Sequence, residues 1–466
     1  MLRLAFYGDD FTGSSDALEV LAFAGLECAL FLEVPDEQTL RELGPFGAIG
    51  VAGASRAMSP AEMDEQLQPV LAAMSRLPVA LVHYKVCSTF DSSPTVGSIG
   101  HVMDLSRADF GDSAIPIVAA TPALGRYCAF GNLFARFGTD GRVHRIDRHP
   151  IMSVHPVTPM HEADLTRHLG TQTSMPIAGF TLPQFALQRA AMAAELHRLV
   201  DATPGGAVLI DGTTPEQLTE TGRLLDGLAR GRKTPLFCVG GSGLEYALTQ
   251  WWREAGVLPT TRTAHDRFDG VPQVLAVSGS ASPLSAQQID AAVGAGFVEL
   301  PVDAAALVAG SPDAELARLA ERALLELRAG RSVMLHSARG PQDPRIEAML
   351  AALADRGMSR EQARHEGGRQ LGQRFGELVD ALLRAHPLRR LLLSGGDTSS
   401  HVTQRLAPQA LRVVARLAPG APLCRAISRE PHLAQLEIAL KGGQMGQADY
   451  FVKALRGTAD ARQSLH

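Results

Sequence analysis

Two adjacent carboxylates, Asp9 and Asp10, stand in the loop GDDFTGSSD, between the apolar run Leu4 to Tyr7 and a helical pattern opening at about Ser14. Carboxylates at such a turn suit hydroxyl groups, a metal ion or general-base work. They do not suit a bare polyphosphate, which binds at glycine-rich turns with free backbone N–H groups. Asp10 is therefore read as a substrate contact and a candidate catalytic base. Asp9 reads as a brace for the turn, and Asp16 as an acid favoured by the dipole of a first helical turn.

Three further polar groups follow apolar runs in the first half: Arg56 after Ala48–Ala52, the loop KVCSTFDS from Lys85 after Val79–Tyr84, and Arg126 after Pro116–Ala120. An arginine fork matches a carboxylate in bidentate fashion. Lys85 adds a compact positive charge, and Ser88 and Thr89 add hydroxyls and backbone donors. With Asp10, these residues describe a pocket for a small polyhydroxy acid. The bland alternative is that Ser88, Thr89, Ser92 and Ser93 cap the next helix and that both arginines are solvated.

The second half carries three loops suited to phosphate. Ser278, Gly279, Ser280 and Ser282 follow Val274–Val277, with Ser282 as a helix N-cap and Pro283 behind it. Ser394, Gly395, Gly396, Asp397 and Thr398 follow Leu391–Leu393; Gly442 and Gly443 follow Leu436–Leu440 and Lys441. Glycines there let backbone N–H groups approach a phosphate, and helix N-termini behind them add partial positive charge. None of the loops is a Walker A or dinucleotide fingerprint. Asp397 is the only acid in the three, placed to hold Mg²⁺ through water or to orient an attacking hydroxyl. Asp10 and Asp397 both stay open as catalytic groups, and no metal ligand set is legible in the spacing of the histidines.

Apolar runs alternating with helical patterns position these loops. They predict an α/β protein of two α/β domains with mainly parallel sheets and an active-site cleft between them. The domains are residues 1–250 for an acid sugar and 251–466 for a nucleotide, with Trp251 to Gln273 as connection. Val208–Asp211 and Val333–His336 are further expected strands, and a helix is expected from about Glu162 after His155-Pro-Val-Thr-Pro-Met160. His149 and His155 read as hydrogen-bonded structural residues.

The 466 residues carry a formal charge of −5, so there is no basic footprint for nucleic acid. No apolar run reaches the length of a membrane span, and no signal-peptide pattern opens the chain, so a cytoplasmic location is expected. Cys28, Cys87, Cys128, Cys238 and Cys424 are too scattered for a disulfide framework. Only four lysines occur, and two of them, Lys85 and Lys441, stand in the motif loops. Expected partners are a sugar acid and ATP, with no nucleic acid or membrane; homo-oligomer formation stays open.

The chain resembles the four-carbon acid sugar kinase family along nearly its full length. The resemblance rests on DDFTGSSDA, KVCSTFDSSPTVGSIG, HPVTPM, GGSGL at Gly240 to Leu244, SGSASPLSAQQI, SGGDTSS and LKGGQMG. It implies an N-terminal domain holding the sugar acid at Asp10, Arg56 and the Lys85 to Thr89 loop. It also implies a C-terminal domain holding ATP at Ser278 to Ser282, Ser394 to Thr398, Gly442 and Gly443. Members of the family act on threonate, erythronate, 3-oxo-tetronate and 3-oxo-isoapionate. The opening YGDDFTGSSDALE and the stretch Ala119 to Pro122 depart from the tetronate kinases toward the 3-oxo-isoapionate branch. Room for a branched substrate is expected beside Gly53, Ala54, Ala119 and Ala120. A nicotinamide-dependent dehydrogenase and a non-catalytic sugar-acid sensor are the competing classes.

Overall fold

The computed structural model describes residues 1–138, 141–155, 157–259 and 267–458. The chain forms two compact units, Met1–Ala29 with Glu33–Thr263 and Leu30–Leu32 with Ala264–His466.

Up to Gly240 the strands are β1 (Leu4–Gly8), β2 (Cys28–Phe31), β3 (Ala48–Ala52), β4 (Leu81–Lys85), β5 (Ile115–Val118), β6 (Arg126–Ala129), β7 (Asn132–Phe137), β8 (Arg142–Arg145), β9 (Ile177–Phe180), β10 (Ala207–Ile210) and β11 (Leu236–Gly240); all belong to the first unit except the Leu30 and Phe31 end of β2. Seven of them lie parallel in the order β3-β1-β4-β11-β5-β10-β9, and β6, β7 and β8 form a separate antiparallel sheet. Every residue of β1, β3, β4 and β11 is buried. Such unbroken apolar runs belong to parallel strands covered by helices on both faces. From β1 the chain moves to β3 on one side, then crosses to β4 on the other. The loops after β1 and β4 therefore diverge, which is where open α/β sheets bind ligands.

The second unit contains β12 (Leu275–Ser278), β13 (Val298–Pro301), β14 (Val333–His336), β15 (Arg390–Ser394), β16 (Ala410–Ala418), β17 (Ala421–Ile427) and β18 (Glu437–Lys441), in the order β13-β14-β12-β15-β18-β17-β16. The first five strands in that order are parallel; β17 runs antiparallel to both β18 and β16. Leu30 and Phe31, which belong with this unit, pair antiparallel with Leu411 and Ala410. Here the crossover is at β12 and β15, so their exits form the second unit's switch point.

Several expectations are corrected. The first helix spans Phe11–Phe23 and starts earlier than Ser14, because Asp10 caps it. The helix expected from Glu162 is Leu165–Gly170, capped by Asp164. Ser88, Thr89, Ser92 and Ser93 do not cap the next helix; Ser98 does, ahead of Ile99–Phe110. Helix Gly243–Glu254 continues past Trp251, and residues 260–266 of the expected connection lie outside the described residues. None of the five cysteines is in a disulfide, as their spacing suggested. Among the described residues no helix is long and apolar enough to cross a membrane.

Candidate active site

Register sets the first site. Gly8 lies opposite Ala52 on one side and Lys85 on the other, Lys85 opposite Gly240, and Gly240 opposite Val118. Five exits therefore stand in one row at the carboxyl edge, sewn together by backbone bonds such as Asp9 N–H to Lys85 O at 2.9 Å and Val86 N–H to Gly240 O at 2.8 Å.

Asp10 caps helix Phe11–Phe23, its Oδ1 accepting from Gly13 N–H at 2.6 Å. Its Oδ2 lies 2.8 Å from Arg56 Nη1. The rest of the Arg56 fork meets Asp9, through Nε to Oδ2 at 3.1 Å and Nη2 to Oδ1 at 2.8 Å. Burial alone would lower the Arg56 pKa, but Asp9 and Asp10 overcome it and hold the guanidinium charged. Burial also pushes the Asp9 carboxyl up, against the pull of Arg56.

Lys85 is 3% exposed, and its ammonium lies 2.7 Å from where a Gly13 Cβ would be. Only glycine lets the helix come this close, and the same space touches the Asp10 carboxylate. Asp16, one turn further on, has its pKa raised by burial, with Lys85 opposing the rise. Lys85 thus sits among acids of the first helix.

The loop after Lys85 is held in a tight turn. Phe90 N–H donates to Cys87 O at 3.0 Å, and fully buried Phe90 takes a left-handed φ of +54°. A bulky residue adopts that conformation only where surrounding contacts enforce it. Thr89 donates to Asp91 Oδ1 at 2.5 Å, so the Cys87 thiol, 2.9 Å from Thr89 Oγ1, must be the donor of that contact. Burial keeps the thiol protonated by pushing its pKa up to about 11. Asp91 Oδ2 accepts from Thr158 at 3.4 Å, and His155 Nδ1 accepts the Thr158 N–H at 3.1 Å. His155 and Thr158 of the HPVTPM segment therefore buttress the Lys85 loop; Pro156 lies outside the described residues.

The fourth exit follows a strand that was not expected, although its turn was quoted as the motif GGSGL. β11 inserts between β4 and β5, so the turn Gly240 to Gly243 and the N-terminus of helix Gly243–Glu254 enter the middle of the row. A Cβ on Gly243 would overlap Ala120 O, and one on Gly241 would lie 3.3 Å from Ser88 Cα. Beneath, His83 Nε2 faces Gly240 O at 3.1 Å while His83 Nδ1 lies 2.6 Å from Glu245 Oε1. A carbonyl only accepts, so Nε2 carries a proton and another lies between Nδ1 and the carboxyl group. This fully buried pair bolts the helix to β4.

In the second unit Ser278 lies opposite Ser394, and Ser394 opposite Lys441, so the three glycine loops are neighbours in one row. Gly279 N–H donates to Ser394 O at 3.0 Å and Gly395 N–H to Lys441 O at 2.9 Å. Gly395 has a φ of +114°, open in practice to glycine alone. A Cβ on Gly443 would overlap Ser280 Oγ. Ser282, the expected N-cap of Pro283–Gly294, also donates to Gly443 O at 2.6 Å. The hydroxyls of Ser278 and Ser394 are buried with no partner among the described residues. Lys441 is fully buried, 3.1 Å from Gly442 O and 5.7 Å from the centre of the Tyr450 ring; burial lowers its pKa to about 8. The N-termini of helices Pro283–Gly294 and Gly396–Leu406, the Ser278 and Ser394 hydroxyls and one buried ammonium are groups of the kind that suit a polyanion.

Residues 4–248 match the family model of a sugar-binding N-terminal domain, and residues 275–451 that of a nucleotide-binding C-terminal domain. The chain is 43% identical to 3-oxo-isoapionate kinase of Paraburkholderia graminis over 97% of its own length and 93% of that protein's. The chain belongs to the four-carbon acid sugar kinase family. It is 33% identical to 3-oxo-tetronate kinase of Methylobacterium radiotolerans, over 97% of this chain and 99% of that one. A solved structure from Salmonella typhimurium LT2 has the same fold, with TM-score 0.76 and 24% identity over 98% of this chain and 99% of the other.

Within this kinase, Asp10, Arg56, Lys85, Ser88 and Thr89 stand at adjacent exits of the first unit. Arg126 opens β6 of the small sheet beside the β5 exit: its backbone exchanges hydrogen bonds with Thr121 at 3.0 and 3.1 Å, and its Nη1 donates to Leu124 O at 2.9 Å and faces Arg136 O at 3.4 Å. The expected room beside the pocket is largely absent: the space at Gly53 is filled by the Tyr7 ring, and Ala119 and Ala120 are fully buried, leaving only Ala54 exposed. Asp397 is exposed in the first turn of helix Gly396–Leu406. Asp91, Thr158 and the turn Gly241 to Gly243 are partners to which the sequence assigned no role in the site, the last being quoted only within the motif GGSGL. The cue for the last was present, since Gly-Gly follows an apolar run there as it does at Gly395 and Gly442.

Proposed function

We propose that this kinase transfers the γ-phosphoryl group of ATP to 3-oxo-isoapionate, giving 3-oxo-isoapionate 4-phosphate. The observation that carries the substrate is the 43% identity to a 3-oxo-isoapionate kinase over 97% of the chain, against 33% for the tetronate relative quoted above. The first unit is taken as the acid-sugar domain and the second as the nucleotide domain.

In this reading Lys85, Ser88 and the remaining donors of Arg56 hold the acid, and Asp10 receives the proton of the attacking hydroxyl. That oxygen bonds to the γ-phosphorus as the bond to the β-bridging oxygen breaks, and ADP leaves. Such transfers are loose in the transition state, so alignment and charge neutralisation matter more than base strength. The glycine cradle and Lys441 neutralise the phosphates.

Among the described residues no cluster of three or more His, Cys, Asp or Glu forms a metal cage. Mg²⁺ needs none, because it is usually held by one or two carboxylates with waters and phosphate oxygens. The lone Asp397 beside the cradle fits that pattern. Bound there, the ion would add charge stabilisation on the transferring phosphoryl group.

The test is ADP release with Mg·ATP across 3-oxo-isoapionate, 3-oxo-tetronate, D-threonate and D-erythronate, with product masses. Preference for 3-oxo-isoapionate is expected. Preference for a linear tetronate would keep the kinase and overturn the substrate.

A further inference from the structure

Helix Gly243–Glu254 starts in the middle of the first unit's row of exits without a cap of its own. Ser242, in the capping position, has helical backbone angles and makes no side-chain capping bond. The missing acceptor comes from 122 positions away: Thr121 Oγ1 takes the Gly243 N–H at 3.1 Å. The first N–H groups of a helix have no partner within it, and the residue just before the helix ordinarily supplies one. A cap borrowed from the β5 exit does more, because it also fixes where the helix begins relative to β5.

The turn leading into this helix has little slack. A Cβ on Gly240 would overlap Val118 O, and one on Gly243 would overlap Ala120 O. Gly241 N–H donates to Val118 O at 3.2 Å, and a Cβ on Gly241 would lie 3.3 Å from Ser88 Cα and 3.4 Å from Thr121 Oγ1. The turn is wedged between the end of β5 and the Lys85 loop, so a shift of the turn changes its contact with Ser88.

The backbone of Thr121 holds a second group. Through its two bonds with Arg126 it seats the first residue of β6. Among the described residues no carboxylate pairs with the Arg126 guanidinium: Nη1 meets the carbonyls of Leu124 and Arg136, and Nε is buried without a partner. Burial lowers its pKa and Cys87 opposes that, so the cation lies near the Lys85 loop as well. An arginine fork left unpaired there suits a carboxylate.

From these contacts we infer that Thr121 is a positioning residue of the sugar-acid site: its hydroxyl sets the Gly241 to Gly243 turn against Ser88, and its backbone sets Arg126. The inference rests on reading the first unit as the acid-sugar domain and adds what keeps two of its binding groups in register. Thr121 is fully buried and acts through its neighbours rather than on the substrate. Misplacing a binding group by about 1 Å is enough to lose about 10²-fold in rate.

Steady-state kinetics on the full chain test it, with whichever of the four acids named above the native protein prefers. Thr121→Val keeps the shape and loses the acceptor, leaving the Gly243 N–H buried and unpaired, whereas Thr121→Ser keeps the acceptor and loses a methyl group. Thr121→Val is expected to raise the KM for the sugar acid about tenfold or more while kcat stays within about threefold. Thr121→Ser should hold the native KM within about threefold. A role confined to packing predicts the opposite order, so an unchanged KM in Thr121→Val, or an equal or larger rise in Thr121→Ser, would overturn the inference and leave the kinase reading intact. Failure of the native protein to bind any of the four acids would bring both down. Hydrogen exchange read by mass spectrometry on the native protein decides independently of how the variants fold. Adding the sugar acid is expected to slow exchange in 121–128 and in 240–246 together, and slowing in one alone or in neither overturns the inference.

Discussion

Arg56 and Asp9 form a two-pronged ion pair, with Nε and Nη2 donating to the two carboxylate oxygens at 3.1 and 2.8 Å. Asp9, 5% exposed, therefore fixes the direction in which Arg56 points, and Asp10 takes a third contact from the same guanidinium. Removing Asp9 by Asp9→Ala strands a largely buried cation. Breaking a fully buried pair costs about 3–5 kcal/mol; the residual contact with Asp10 reduces that here to about 2–3 kcal/mol. Urea unfolding measures it, and a loss below about 0.5 kcal/mol would mean that Arg56 does not depend on Asp9.

Asp10→Asn keeps the shape of the cap and removes its charge. Turnover is expected to drop about 10²- to 10⁴-fold, the usual range for a positioned acid or base. ADP affinity should stay within about twofold, because the nucleotide cradle belongs to the other unit. Equal losses in turnover and ADP binding would contradict that separation.

Little of Arg56's arrangement could be read from the chain. The loop GDDFTGSSD and the three glycine loops stand out locally because each follows an apolar run, and the register of β12, β15 and β18 does set the latter side by side. Three features depend on distant contacts. Asp9 looks like a turn residue until Arg56, 47 positions away, is seen on it. β11 is a short run, Leu236–Gly240, whose importance comes from its insertion between β4 and β5. β16 and β17 carry exposed arginines, Arg416 and Arg425, among their buried residues, which dilutes the apolar signal of a strand.

Gly443→Val would push a branched side chain into Ser280 and disturb the Ser282 contact to Gly443 O. The KM for ATP is expected to rise about tenfold or more, with binding of the sugar acid unchanged by calorimetry. A selective rise in the KM for the sugar acid would reverse the assignment of the two units.

Lys441 is expected to make nucleotide binding depend on pH. Its free ammonium titrates near 8, and bound phosphate would raise that value, so protons are taken up on binding as pH climbs. Above about pH 8 the protein must first gain a proton, and ADP affinity should weaken by up to about tenfold between pH 7 and 9. Tyr450 is the titratable side chain facing it. Lys441→Arg, charged throughout, should flatten the profile. A native protein whose affinity is constant over that range would rule out contact between Lys441 and phosphate.

The place of β11 bears on how the protein is made. It is the final strand of the first unit to leave the ribosome, yet it occupies the middle of the sheet, between β4 and β5. Until Leu236–Gly240 emerges, the earlier strands have a gap where their central partner belongs, with two unpaired edges open to misassociation. The exit Gly240 to Gly243 is consequently the last of the row to form, and a nascent chain halted before Gly240 would need protection from its neighbours on the polysome.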